Sequence, residues 1–315
     1  MKICHVVSAN PYKYLGGTPI TVKCLMEHMQ SDYIYCRGFS FIRSFIYPFF
    51  IGIWLIFKRY DIVVVHDHAG YWYSRVPKFM RSKMVALCQG VWTDFEDMVK
   101  LNTWQKIKIG LAIRMQSRMI NECDFVVAYC GYVKMALVKD YGINPKKIAI
   151  IYNGVDTKKF YPQGRHNKRL AIWVCDNPII RRLDRCVEYA KNNNMKLMAV
   201  GVNGKDTNYV KYCGKISHKK MPEMYNKAGT FVMFSHIKVP PIVLLEAMAC
   251  GLDVVCTDVE IIPMGKDGLC RLDGKSARKL AISFDWKIIA EKHLEIYKKL
   301  LRNEFPKESE LSYKY

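Results

Sequence analysis

No Cys-x-x-Cys pair occurs among the twelve cysteines of this 315-residue chain, which removes the usual sequence signals of a zinc ribbon or a thiol-redox motif. Cys4, Cys24, Cys36, Cys88, Cys175, Cys186 and Cys250 sit mostly inside apolar runs, where a thiol acts as a small buried hydrophobe rather than half of a disulfide framework. Long apolar runs are also missing. The uncharged stretch SFIYPFFIGIWLIF at 44–57 has fourteen residues, with Pro48 and Gly52 inside it, against the ~20 a spanning helix needs. It is expected to be a buried helix leading into the next strand, with a lipid-facing surface anchored by Arg43, Lys58 and Arg59 as the open alternative. Met1–Val7 has one basic residue and an apolar core too short for a signal peptide, so it reads as a first strand. With the cysteine usage this predicts the cytoplasm, peripheral membrane contact staying open. Acidic residues are scarce: 28 Asp and Glu against 49 Lys and Arg give a net charge of +21. The excess is spread evenly, +11 over residues 1–160 and +10 over the rest, so it is not a basic tail. Such a field favours anionic partners (phosphorylated small molecules, anionic lipid or nucleic acid) without choosing among them.

What is present is an alternation. Strand-like runs rich in β-branched residues fall at 3–8, 61–66, 84–88, 125–129 and 148–152, separated by helical patterns such as 18–29 and 101–121. After the polar stretch 161–168 a second set follows at 170–175, 197–201, 230–235 and 252–256. Near-continuous apolar strands between helices predict parallel βαβ units. The expected fold is α/β: two Rossmann-like, doubly wound parallel-sheet domains facing a cleft, residues 1–162 and 163–285. The helical pattern at 286–302 either stays with the second domain or reaches back to the first, and the end of 286–315 is a polar tail.

In open α/β sheets ligands bind beyond the carboxyl ends of strands, so the loops there are the candidates. The loop after the first strand contains Gly16, Gly17 and Thr18; glycines admit an anion close to backbone N–H groups, although a bare Gly-Gly turn is more often only a turn. It is neither a Gly-x-Gly-x-x-Gly fingerprint nor a Walker loop, which takes support from nicotinamide and P-loop readings. After the second major strand come His66, Asp67 and His68. These suit hydrogen bonding to a polar acceptor; a metal site would need further ligands that the sequence does not place, and none is assigned. In the second half Pro240 and Pro241 open a helix whose first N–H groups, at Ile242 and Val243, can hold phosphate. Glu246 is the lone carboxylate of that apolar helix and needs a specific partner.

Three segments together resemble the GT-B glycosyltransferases, specifically glycosyltransferase family four: the opening MKICHVVSANPYKYLGGTPITVKCLMEHM, residues 129–162 with Asn153-Gly154-Val155-Asp156 and Phe160, and residues 225–257. The resemblance covers about residues 1–275. It implies a retaining, metal-independent sugar transferase that uses a nucleotide-diphosphate sugar as co-substrate and no cofactor. Gly16, Gly17, Thr18, Arg181, Ile242 and Val243 would serve the diphosphate, Glu246 the ribose, and Lys215 and Ile216 the base. His66, His68 and Gln89 would face the acceptor, and Lys238, Glu246 and His68 are the residues expected to carry catalysis.

The sequence also departs from that family. Eight residues before Glu246, where a second glutamate is usual, stands Lys238; Asp176 stands where an arginine is usual, leaving Arg181 as the remaining cation. Gln89 takes the place of a histidine. One reading is an active enzyme whose Lys238 pairs with an acidic sugar; a second is a catalytically impaired homologue that binds sugar nucleotide or serves as a scaffold. A third class, a nucleic-acid binder, would use Arg75, Lys78, Arg81 and Lys83 beside Tyr71, Trp72 and Tyr73. The family resemblance accounts for more of the chain, so nucleic acid is not taken as a partner. The apolar 44–57 run and the basic aromatic 71–83 segment together suggest a lipid-linked or membrane-surface glycan acceptor, the alternative being core plus a solvated face.

Overall fold

The computed structural model describes residues 1–8, 10–13, 17–36, 46–66, 68–91, 93, 102–236 and 239–304. They fall into two compact units, Met1–Tyr152 together with Ile289–Tyr315, and Asn153–Ile288.

In the first unit, six strands form one parallel sheet, β1 (Ile3–Val7), β2 (Asp32–Tyr35), β3 (Ile62–His66), β4 (Lys83–Cys88), β5 (Phe125–Ala128) and β6 (Ile148–Ile150), in the order β2-β1-β3-β4-β5-β6. Its central strands are buried along their whole length, β1, β3 and β5 at every residue, which is why they read as unbroken Val/Ile runs rather than alternating ones. The chain runs outward from β1 to β2 and then crosses back to β3. The order therefore reverses between β1 and β3, and the loops at their carboxyl ends flank a switch point. The helices are α1 (Gly17–Met29), α2 (Tyr47–Lys58), α3 (Tyr71–Ser74), α4 (Thr103–Glu122) and α5 (Gly131–Tyr141). An Asn102/Gln105 capping box starts α4, and Gly142, in the left-handed region at φ 66°, ends α5.

The apolar run departs from expectation. Every position of α2 except its last is apolar or aromatic, yet only Pro48, Ile51, Gly52 and Leu55 are buried. A helix seated on a neighbouring layer can hide only one side, and the other side of α2, with Phe49, Phe50, Ile53, Trp54 and Phe57, is exposed. Residues 44 and 45 of the run lie outside the described residues. No helix among the described residues is long and apolar enough to cross a membrane.

The second unit repeats the plan with β7 (Asn167–Val174), β8 (Lys196–Val200), β9 (Val210–Gly214), β10 (Ala228–Met233), β11 (Asp253–Cys256) and β12 (Cys270–Leu272), in the order β12-β11-β10-β7-β8-β9. All neighbours are parallel except β12, which runs antiparallel to β11. Here the order reverses between β7 and β10. Helices α6 (Leu183–Asn192), α7 (Met221–Lys227), α8 (Ile242–Ala249) and α9 (Gly274–Ile282) complete it, and α10 (Trp286–Leu301) starts in this unit and continues into the first. All twelve cysteines are free thiols.

Residues 153–160 belong to the second unit and have a packing reason for their identities. A Cβ on Gly154 would stand 2.5 Å from ring carbons of Trp286, so only glycine lets that indole lie flat on the backbone. Val155 pairs with Asp285 as an isolated parallel bridge. Phe160, 1% exposed, packs its ring against His218 and Tyr225 at centroid distances of 5.4 and 6.0 Å.

Candidate active site

The second unit gathers its predicted donor residues around α8. This helix follows β10, and its N-cap, Pro241, offers no side-chain hydrogen bond, so the first N–H groups at Ile242 and Val243 have no side-chain cap. One turn further along, Glu246 is 2% exposed. A buried carboxylate in an apolar helix demands partners, and it has two: Nε2 of His218 stands 2.5 Å from Oε1, and the hydroxyl of Tyr225 donates to Oε2 at 2.9 Å. Burial, and then Glu246 itself, pushes the Tyr225 hydroxyl far above its ordinary pKa, which keeps it a proton donor. The other ring nitrogen of His218, Nδ1, accepts from Nζ of Lys159 at 2.9 Å. Lys159–His218–Glu246–Tyr225 is thus one polar chain, closed on one side by Phe160. The histidine follows Lys215 and Ile216 by three and two residues, which places their loop next to Glu246; Lys215 is exposed and Ile216 half-buried.

At the switch point of this sheet, Arg181 spans the two strand ends. Its guanidinium Nη1 donates to Oγ of Ser235, just past β10, at 2.8 Å, while its own carbonyl accepts from the Trp173 indole of β7 at 3.0 Å. Thr257, past β11, accepts at Oγ1 from the backbone N–H of Ser235 at 2.9 Å. The carboxyl ends of β7, β10 and β11 are therefore laced together beside Arg181; Asp176 is exposed. Lys238 lies outside the described residues.

In the first unit Gly17 and Thr18 begin α1, and the Thr18 hydroxyl donates to Oε1 of Gln89 at 2.8 Å. Because β3 lies between β1 and β4, that bond reaches over the carboxyl end of β3. The Gln89 Nε2 is buried without a hydrogen-bond partner among the described residues, a donor left for something else. Gly16 lies outside the described residues. His68 is half-buried in the turn leading to α3.

His66 turns the other way. It is the last residue of β3, 1% exposed, and its Nε2 lies 3.1 Å from Nδ1 of His5, the rings stacked at 5.4 Å. His293 of α10 is buried beside them; burial pulls the pKa of His5 and of His293 down to about 3, and that of His66 well below its ordinary value. The three are uncharged core groups. Among the described residues, no group of three or more His, Cys, Asp or Glu side chains is arranged to hold a metal ion. The basic patch also loses a member: Arg81 is buried, ion-paired to Asp124 at 3.3 Å and donating to the Glu122 carbonyl at 2.7 Å.

His218, Tyr225, Lys159 and Ser235 were not singled out by sequence. Lys159, inside the 129–162 segment, and Tyr225 and Ser235, inside the 225–257 segment, carried that much signal; His218 becomes a neighbour of the site through the fold alone.

Comparison with known proteins gives two sequence matches along the chain. The profile described as Glycosyltransferase Family 4 matches residues 26–159, and that described as Glycosyl transferases group 1 matches residues 178–284. A curated relative from Campylobacter jejuni is N,N'-diacetylbacillosaminyl-diphospho-undecaprenol alpha-1,3-N-acetylgalactosaminyltransferase, 26% identical. The match takes in 53% of this chain, which spans 58% of that relative's length. Among solved structures, sucrose-phosphate synthase from Thermosynechococcus elongatus superposes with a TM-score of 0.77 at 13% identity, over 96% of this chain and 100% of that one. Anabaena HepE in complex with UDP gives 0.70 at 13% identity, over 95% and 100%. At that identity these structures speak to the fold alone. Matches to two glycosyltransferase family models, one on each part of the chain, and a fold shared along nearly the whole chain make this protein GT-B-like in fold and similar in sequence to the family-four glycosyltransferases.

Proposed function

We propose that the chain transfers a sugar from a nucleotide-diphosphate sugar to a glycan or lipid-linked acceptor, with retention and without a metal. The observation that carries this reading is Glu246: a buried carboxylate one turn into a helix without a side-chain N-cap, held in place by His218 and Tyr225 beside the 215–216 loop. A carboxylate offers roughly four acceptor sites, so two bonds leave capacity for a ribose diol. Lys215 and Ile216 would then lie along the base. The N–H groups of Ile242 and Val243 together with Arg181 would take up the charge of the leaving diphosphate, as preorganised donors do in place of a metal ion. In the first unit Gly16, Gly17 and Thr18 would serve the diphosphate, and His68 and Gln89 would face the acceptor.

The acceptor class draws support from the curated relative, whose name specifies an undecaprenol-linked substrate. HepE, bound to UDP in one structure and to UDP-glucose in another, supports a nucleotide-sugar donor. The protein would then work in the cytoplasm at a membrane face. Lys238, in the place of the family's usual glutamate, favours either an acidic donor sugar or a binding-only homologue. Thermal stabilisation by UDP, GDP, ADP and CDP, compared with Glu246→Ala, tests the donor site. A selective upward shift that the variant lacks is the expected result; no shift with any nucleotide in the folded protein rejects the transferase reading. Lys238→Glu should reduce turnover of an acidic donor, and equal turnover would reject the charge-pairing role.

A further inference from the structure

The exposed face of α2 has no use in the reading above. Ile46, Phe49, Phe50, Ile53, Trp54 and Phe57 are between 37% and 79% exposed, and their spacing by threes and fours puts them in one stripe along the helix. The helix is about 18 Å long. Its opposite face is firmly seated: a Cβ on Gly52 would stand 3.2 Å from the backbone nitrogen of Tyr73, so α2 lies directly on α3, and at the edge of the stripe Phe49 meets Trp72 edge-on at 5.7 Å. The exposed stripe is therefore presented by a fixed helix. Six large apolar side chains in one contiguous surface are unusual for a chain that meets only water.

The charges around this face choose its partner. Lys58 and Arg59 are exposed at the end of α2, and Arg75 and Lys78 are exposed after α3. Lys58 holds its Nζ 5.4 Å from the centre of the Trp54 ring, pairing an amphipathic indole with a cation whose stem can lie along apolar surface. In the described residues from 46 to 91 the only acidic side chain is Asp61, which accepts from the backbone N–H of Lys2 at 2.6 Å. Glu27 and Asp32 line the hollow at the Trp54 edge of the helix, where Asp32 accepts from the Tyr60 hydroxyl at 2.9 Å, so the acids gather at that edge and the cations at the end of α2 and after α3. An apolar face set among cations, on a helix too short to span, is the chemistry of lying on an anionic bilayer surface.

We infer that α2 is a membrane-docking helix, its Phe50–Phe57 stripe entering the headgroup layer of an anionic phospholipid surface while Lys58, Arg59, Arg75 and Lys78 engage lipid phosphates. The inference does not depend on the transferase reading, because its test contains neither nucleotide nor acceptor. The full chain is sedimented with vesicles of phosphatidylcholine alone and with vesicles in which roughly a third is phosphatidylglycerol. The chain should sediment with the anionic vesicles. Phe50→Ser with Phe57→Ser should weaken partitioning by about tenfold or more while leaving the melting temperature unchanged, since both side chains are exposed. Lys58→Glu with Arg59→Glu should lose the preference for anionic lipid. Ile282→Ser, an exposed apolar site in the other unit, should bind as the parent does. Wild-type protein remaining in the supernatant, or a double-serine variant that sediments equally well, overturns the inference. So does a vesicle-free dimer that the double-serine variant makes monomeric while neither form sediments, since the face would then belong to a second copy.

Discussion

Helices α2 and α8 are built from nearly the same kind of sequence, YPFFIGIWLIFK and IVLLEAMA, and have opposite fates. In α8 seven of the eight residues are buried, Glu246 among them; in α2 only four of twelve are. Apolar composition therefore does not decide burial here. Side-chain size does much of it: Ala247 and Ala249 let strands and loops close on α8 from several sides, whereas an aromatic ring at almost every turn of α2 leaves room for one neighbour. The single carboxylate of α8 is tied by two hydrogen bonds, and the cations near α2 stay on the rim.

The comparison can be broken by substitution. Leu244→Ala, at a fully buried position of α8, should cost about 2–5 kcal/mol in denaturant-induced unfolding; a loss below 1 kcal/mol would mean that α8 is loosely packed. The next largest effect contrasts the buried polar groups of the two units. Glu246 has its partners, but His5, His66 and His293 each keep one buried ring nitrogen without a hydrogen-bond partner among the described residues. An unfolded histidine titrates near 6.5, while His5 and His293 in the fold are held at about 3. Between those values the unfolded chain binds more protons, so the stability these rings contribute is complete above about pH 6.5 and drains away as the pH falls. From pH 7 to 5 each should remove about 2 kcal/mol, and His293→Gln should flatten the measured slope by one proton; an unaltered slope would place the titration elsewhere.

Glu246→Leu sharpens the contrast within α8. It leaves the Tyr225 hydroxyl and His218 without their acceptor and should destabilise the fold by about 1–3 kcal/mol, read as a lower melting temperature; a rise would show that the carboxylate is a strained group kept for binding. The smallest effect belongs to α2: Phe57→Ser should change stability by no more than about 0.5 kcal/mol. A loss near that of Leu244→Ala would mean that the face is covered in solution.

The same contrast explains how much could be read in advance. Near-continuous Val/Ile strands marked both sheets, because burial on both faces leaves a one-dimensional signal. β2 and β9, at sheet edges and partly exposed, gave none. In α2 periodicity is blank, since every face is apolar, and a blank pattern cannot say which side packs. Of the candidate site, Glu246 stood out as the lone carboxylate of an apolar helix, Ile242 and Val243 followed from the two prolines that open it, and Arg181 came only from the family resemblance. The Thr18–Gln89 bond joins residues 71 apart, and His218 reaches Glu246 across 28; such pairings are made by strand order and loop path and leave no local trace.

The buried histidines also bear on the order in which the protein is made. His5 and His66 are made before the second unit, yet their buried neighbour His293 sits on α10, whose Ile296, Tyr297 and Leu300 are also buried and which is made after it. A nascent chain carrying all six strands of the first sheet still lacks that helix while the whole second unit is translated. Contacts of such long sequence separation form late, and until they do the apolar surface under α10 is open to chaperones or to other chains. The first sheet, made before the second unit, is thus completed only after it.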